Sequence, residues 1–285
     1  MFSLIVCLAL KNVLLSIKYT YIFCQGPFSP QTDKETPCHK YILTGSLLVI
    51  DNLAMPSRHT IKKYVEGGYY HIYNRGVERR RIFLDDKDYS VFMELMKFYL
   101  SDPQGANTEK HPLTQPTGFL PVRPRPLQNL SDKVEILCYC LMPNHFHLLL
   151  RQSDRNGMES FVRSLLTSYV MYFNRRHERI GHLFQGTYKA VLIENENYLL
   201  HLSRYIHQNP TLTKNFLGQY PYSSYANYLG ERADNWVNTK EILSFFQGPK
   251  SDKLGLNEFT TYKNFVETYK QEPETILGKL VIEKD

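Results

Sequence analysis

The stretch VEILCYCLMPNHFHLLLR, Val134 to Arg151, decides the fold. It holds two β-rich runs, Val134 to Met142 and His145 to Arg151, separated only by Pro143 and Asn144. Two turn-forming residues between two such runs are the spacing of an antiparallel hairpin. Residues two apart on a strand share a face, with Cα atoms roughly 6.6 Å apart. His145 and His147 can therefore turn their imidazoles toward one ion while Phe146 turns into packing. Spacing alone leaves a plainer alternative open, in which both are ordinary partly buried histidines. Cys138 and Cys140 raise a third, a structural zinc set with the two histidines. Their Cys-x-Cys spacing is tighter than such sites use, and buried cysteine acting as a small hydrophobe accounts for both. The paired signatures of a zinc deaminase, H-x-E and P-C-x-x-C, do not occur.

The elements outward from the hairpin fit one architecture. YYHIYNRG (Tyr69 to Gly76) is β-rich and ends in a turn signal, so it is expected to be a first strand. DDKDYSVFMELMKFYL (Asp85 to Leu100) opens on acids suited to a helix N-terminus, and its apolar residues fall at helical spacing. Residues 102–132 are rich in Pro, Gly and polar side chains and read as a surface insertion. Gly157 to His177 has the pattern of a long amphipathic helix, and Gly181 to Ile193 leans to β around Gly186. ENYLLHLSRYIHQNP reads as a helix stopped by Pro210, and residues 211–285 carry short helical patterns. The order β, α, insertion, β, β, α, β predicts an α+β fold with a ferredoxin-like antiparallel sheet and helices packed on one face.

Composition narrows the function classes. The chain has 285 residues, a mean hydropathy of −0.38 and 22% charged residues, which suits one medium globular domain or two small ones. A net charge of +6 permits a polyanionic partner without requiring one. No P-loop and no GxGxxG is present, so a nucleotide cofactor has no support. The five cysteines form no disulfide framework and suit a reducing cytoplasm. Lys11 and Lys18 interrupt the apolar N-terminus, which leaves no run of about 18 uncharged apolar residues to span a membrane. Sharp local signals begin at Met55. Residues 1–54 are therefore expected to be a non-native N-terminal extension or poorly ordered leader ahead of a natural start at Met55, the rival being a signal or anchor segment.

Five motifs in order, YYHIYNRG, CLMPNHFHLLL, FNRRH, GHLFQGTYK and LSRYIHQNP, resemble those of the REP-associated and related single-tyrosine HUH transposases. The resemblance covers roughly Met55 to Pro210, the expected transposase domain. It implies that His145 and His147 hold Mg²⁺ or Mn²⁺ and that Tyr188 is the nucleophile. The reaction implied is metal-dependent nicking and strand transfer on single-stranded DNA hairpins through a 5′-phosphotyrosine link. Relatives supply a third metal ligand about four residues beyond the tyrosine. Here that position is Leu192, between Val191 and Ile193, and Glu194 is the nearest acid. Asn74, Arg75, Arg79, Arg80, Arg81, Arg175, Arg176 and Lys189 are candidate nucleic-acid contacts. Tyr69, Tyr70, Tyr73 and Phe146 could stack bases but suit core packing better. The alternative function is a DNA- or RNA-binding regulator on the same fold. The expected assembly is a monomer or homodimer without membrane contact.

Overall fold

The computed structural model describes residues 64–101, 129–210, 217–247, 254–256 and 258–268. The expected leader, Met55 and positions 102–128 of the expected insertion lie outside the described residues. The described chain runs β1 (Tyr69–Arg75), α1 (Asp86–Leu100), β2 (Val134–Met142), β3 (His145–Gln152), α2 (Gly157–Arg176), β4 (Lys189–Ile193) and α3 (Glu196–Gln208). Short helices α4 (Tyr225–Tyr228), α5 (Lys240–Leu243) and α6 (Tyr262–Thr268) follow. The sheet order is β2-β3-β1-β4, with every neighbouring pair antiparallel. This is the α+β, ferredoxin-like arrangement that the element order predicts. Met142 pairs with His145 across the two-residue Pro143-Asn144 turn, so the hairpin forms in the expected place.

Each face of the sheet carries its own core. On the first, α1 and α2 pack over Ile72, Tyr139, Phe146, Leu148 and Leu150, with Phe92 and Leu165 wholly buried between them. On the second, Cys138, Leu149 and Ile193 meet Leu202, Tyr205 and Ile206 of α3, and Tyr262 and Phe265 of α6. The one-face helical layer expected for the core is α1 with α2. The second layer arises because α3 and the C-terminal helices also present apolar faces, and the sheet has an apolar side left to cover. A register shift between Ile136 and Cys138 changes the phase of β2. Leu137, Cys138 and Cys140 thereby all reach the second core.

The β-leaning stretch from Gly181 forms a strand only over Lys189–Ile193. Residues before it make a loop held against the end of β1. Val77 N donates to Leu183 O at 3.0 Å and Gln185 N donates to Arg75 O at 2.9 Å. Among the described residues no helix is long and apolar enough to cross a membrane.

The start of α1 is locked to the end of α2. Asp85 caps α1 by accepting from the backbone N–H groups of Lys87 and Asp88, and Arg176 bonds both Asp85 carboxylate oxygens at 2.6 Å. Arg176 also donates to Asp88 Oδ1 at 2.5 Å. Asp88 is wholly buried and takes further bonds from Leu84 N, Tyr172 Oη and His177 Nε2. Removing one partner of a buried, hydrogen-bonded pair leaves the others unsatisfied. We expect Asp88→Ala to lower the unfolding free energy by about 2–3 kcal/mol, read from urea denaturation.

Candidate active site

The pleat of β3 turns Phe146, Leu148 and Leu150 into the first core and His145, His147 and Leu149 toward the second face. The two imidazoles stand perpendicular with centroids 5.0 Å apart. His147 is wholly buried, and its Nδ1 lies 3.0 Å from Nε2 of His71 on the neighbouring strand. Burial, assisted by His145 and His71, holds the His147 pKa well below the usual histidine value. Burial pushes His71 down to about 3. Both rings are therefore neutral at physiological pH. The other nitrogen of His147, Nε2, is buried, and the Asn209 side chain is its polar neighbour.

The tautomer of His145 follows from its neighbours. Its Nδ1 lies 2.6 Å from Asn144 Oδ1, and the Asn144 amide nitrogen donates to Arg79 O at 3.3 Å. An amide oxygen only accepts, so Nδ1 carries the hydrogen and a neutral ring keeps its lone pair on Nε2. That Nε2 faces Asn209 Oδ1 at 3.4 Å. The Asn209 amide nitrogen donates to Tyr205 O at 2.9 Å, which fixes the oxygen as the atom turned toward the histidines. A lone pair against an amide oxygen is an arrangement that a cation relieves, whether a proton or a metal ion. The donor set of His145 Nε2, His147 Nε2 and Asn209 Oδ1 thus fits a divalent ion with open positions.

Tyr205 completes the cluster. Its ring meets His147 edge-on at 5.5 Å and His71 at 6.5 Å. Tyr205 and Asn209 are one helical turn apart, so α3 presents both on one side.

The expected nucleophile is elsewhere. Tyr188 packs in the first core, across the sheet from the histidines, and its hydroxyl lies 3.0 Å from that of Tyr64. Burial and that hydrogen bond push its pKa up, against ionisation. The assignment of Tyr188 is corrected for this reason. Leu192 faces the same first core, and Glu194 is exposed past the end of β4, so neither supplies the third donor. Lys189 points opposite to Tyr188, with its ammonium 5.5 Å from the Tyr73 ring centroid. It cannot stabilise a Tyr188 phenolate.

The nucleic-acid candidates divide. Arg75 pairs with His145 across β1 and β3, and Lys189 pairs with Tyr73, so both border the two-histidine face. Arg79 and Arg81 are exposed in the loop after β1, and Arg175 is exposed at the end of α2. Arg80 is engaged by Glu78 at 3.0 Å, and Arg176 is consumed by Asp85 and Asp88. Asn74 is buried, with its amide nitrogen on Gly186 O and its oxygen accepting from Arg75 N. Arg176 and Asn74 are therefore corrected from surface contacts to structural ties. Cys138 is buried with its thiol pKa raised well above the usual value by desolvation, which opposes a zinc thiolate. Among the described residues no three His, Cys, Asp or Glu side chains gather as a metal set. The amide of Asn209 lies outside that residue set. Tyr205, Asn209 and His71 are the site residues that sequence reasoning missed. The tyrosine and asparagine share a Tyr-x-x-x-Asn spacing that was available as a signal inside LSRYIHQNP.

Residues 128–209 match the family model described as "Transposase IS200 like". That match spans the two histidines, Tyr205 and Asn209. No curated protein matches the chain. Among solved structures, the chain is similar to a REP-associated tyrosine transposase bound to a REP hairpin. The identity is 16%, with 63% of this chain and 91% of that one covered and a TM-score of 0.41. A putative transposase from Deinococcus radiodurans R1 is 15% identical, with 53% and 96% covered and a TM-score of 0.29.

His71, His147 and His207 are wholly buried, and burial lowers the pKa of each, to about 3 for His71 and His207. In the unfolded chain each would return to about 6.5. Below that value the unfolded state binds more protons than the native state, so stability falls as pH drops from about 6.5 toward 3. Each ring contributes up to about 1.4 kcal/mol per pH unit. Urea denaturation at stepped pH should show this slope, reduced by about one proton in His207→Asn.

Proposed function

We infer that the chain belongs, through residues 128–209, to the IS200-like transposase family. On that footing we propose that it nicks single-stranded DNA hairpins and transfers the strand through a phosphotyrosine link on Tyr205. The carrying observation is the convergence of His145, His147, Tyr205 and Asn209 on one face of the sheet. Two imidazoles and an amide oxygen beside a tyrosine suit in-line attack on a phosphodiester.

In the forward step the Tyr205 oxygen bonds to the phosphorus and the bond to the 3′ oxygen breaks. The phenolic proton leaves, and the departing oxygen takes up a proton to become a 3′-hydroxyl. The link is a phosphodiester like the one broken, so a second 3′-hydroxyl can reverse the step without ATP. His145, His147 and Asn209 would hold Mn²⁺ or Mg²⁺, which when bound would supply charge neutralisation for the phosphate. His71 holds the His147 ring through Nδ1, and Asn144 holds the His145 ring likewise. Arg75 and Lys189 border the site, and Arg79, Arg81 and Arg175 extend the positive surface for the DNA backbone. Tyr205 is only 5% exposed, so the scissile strand must open the α3 side to reach it. That burial is the one observation favouring the alternative, a binding-only regulator.

Incubation with Mn²⁺ and a labelled hairpin from the flanks of the gene tests the choice. We expect a denaturant-resistant protein–DNA adduct that is lost in Tyr205→Phe and kept within about threefold in Tyr188→Phe. No adduct from the wild type with any flanking hairpin would leave the regulator reading in place. The donor set has its own check in Mn²⁺ titration calorimetry. Asn209→Ala should weaken binding about tenfold or more, while Glu194→Ala should leave it unchanged.

A further inference from the structure

The turn that carries His145 does not stand alone. It is docked on the loop between β1 and α1, which contains Arg79, Arg80 and Arg81. Gly76 N donates to Asn144 O at 2.8 Å, and Ile82 N and Phe83 N both donate to Pro143 O, at 2.7 and 3.2 Å. The loop is tightly wound within itself. Arg79 N donates to Gly76 O at 3.0 Å, and both the backbone N and the Nε of Arg80 donate to Val77 O at 3.1 Å. Glu78 and Arg79 sit in the left-handed region, at φ 55° and 58°. Such backbone costs of order 1 kcal/mol or more per non-glycine residue and persists only where its surroundings demand it. A Cβ on Gly76 would stand 2.2 Å from Arg80 O, so only glycine fits there.

The left-handed turn aims the Arg79 carbonyl at the Asn144 side chain. The Asn144 amide nitrogen binds that carbonyl at 3.3 Å, and its oxygen binds His145 Nδ1 at 2.6 Å. Free neutral imidazole has no comparable constraint on which nitrogen keeps its hydrogen. We propose that Asn144 is a positioning residue that couples the basic loop 76–81 to His145. The Arg79 carbonyl orients the amide, the amide oxygen holds the hydrogen on Nδ1, and Nε2 is thereby presented as a lone pair toward Asn209. Nucleic acid gripped by the arginine loop and the ligand His145 then share one rigid support. The tautomer part of this inference stands on the hydrogen bonds alone, and the affinity part rests on the metal reading of the site.

Nitrogen-15 NMR of metal-free protein at about pH 8, above the ordinary histidine range, reads the tautomer directly. We expect His145 as Nδ1–H in the wild type, a shift toward Nε2–H in Asn144→Ala, and retention of Nδ1–H in Asn144→Asp, which keeps the accepting oxygen. In Mn²⁺ titration calorimetry, Asn144→Ala should bind about ten- to a hundredfold more weakly and Asn144→Asp within about threefold of wild type. Gly76→Ala touches no metal donor, yet it should also weaken binding by displacing the Arg80 and Arg79 carbonyls. An Nε2–H ring in the wild type overturns the proposal. So does an Asn144→Ala protein with unchanged tautomer and unchanged affinity. A wild type that takes no Mn²⁺ while its tautomer still switches with Asn144 sinks the metal reading and supports the positioning role.

Discussion

Along β3 the pleat sends Phe146, Leu148 and Leu150 into one core and His145, His147 and Leu149 to the other face. Slipping that strand by one residue would exchange the two sets and turn a phenylalanine and two leucines to the wrong side. The apolar residues therefore enforce the register that aligns the histidines. The central position of β3, paired to β2 on one side and β1 on the other, enforces it twice. His71 on β1 occupies the same face, and its 3.0 Å contact to His147 joins the two central strands at the level of the site. The proposed chemistry depends on this alternation, because it leaves two imidazoles side by side on a wall that cannot rotate.

The same alternation explains what the sequence hid. The hairpin, the helical periods of α1 and α2 and the shared face of His145 and His147 could all be read from local spacing. Tyr188 could not be assigned in this way. Its phase on the strand is legible, since it is odd by one from Lys189. Which face that phase reaches depends on the pairing of β4 with β1, a long-range fact. Tyr205 was harder, because nothing local says that α3 crosses the second face rather than joining α1 and α2 on the first. Its partner Asn209 was visible as one turn away, but an asparagine before a proline is also an ordinary helix stop. The arginines show a related limit. Arg175 and Arg176 are adjacent in sequence, yet Arg176 meets two carboxylates while Arg175 is exposed, a distinction made only by the approach of α1.

Electrostatically, the site carries no carboxylate among its proposed donors. Two imidazoles and an amide bring no negative charge to an incoming phosphate, so nothing in the proposed donor set repels a DNA backbone. The charge near the site is instead positive, from Arg75 and Lys189. A carboxylate such as Glu194 in the donor set would raise cation affinity but would place a negative charge against the substrate.

What holds α3 over the site comes from the opposite side of that helix. Between Tyr205 and Asn209, His207 turns away and is wholly buried. Its Nδ1 lies 2.7 Å from Tyr262 Oη and its Nε2 2.8 Å from Ser224 Oγ. Tyr262 Oη in turn donates to Ser203 Oγ, and Ser203 Oγ donates to Leu200 O. With Tyr262 Oη donating onward to Ser203, its oxygen is left to accept from His207 Nδ1–H. The next residue, Gln208, donates to Val266 O at 2.5 Å. Buried polar chains of this kind stabilise one arrangement sharply, because any shift leaves several groups unsatisfied at once. The C-terminal segment thus clamps α3 in register from behind, while Tyr205 and Asn209 face the histidines in front. Access of a DNA strand to Tyr205 and retention of α3 are consequently opposed. In the proposed reaction the balance between them is set by α6 and the Ser224 turn, more than 15 residues downstream of Tyr205 in sequence.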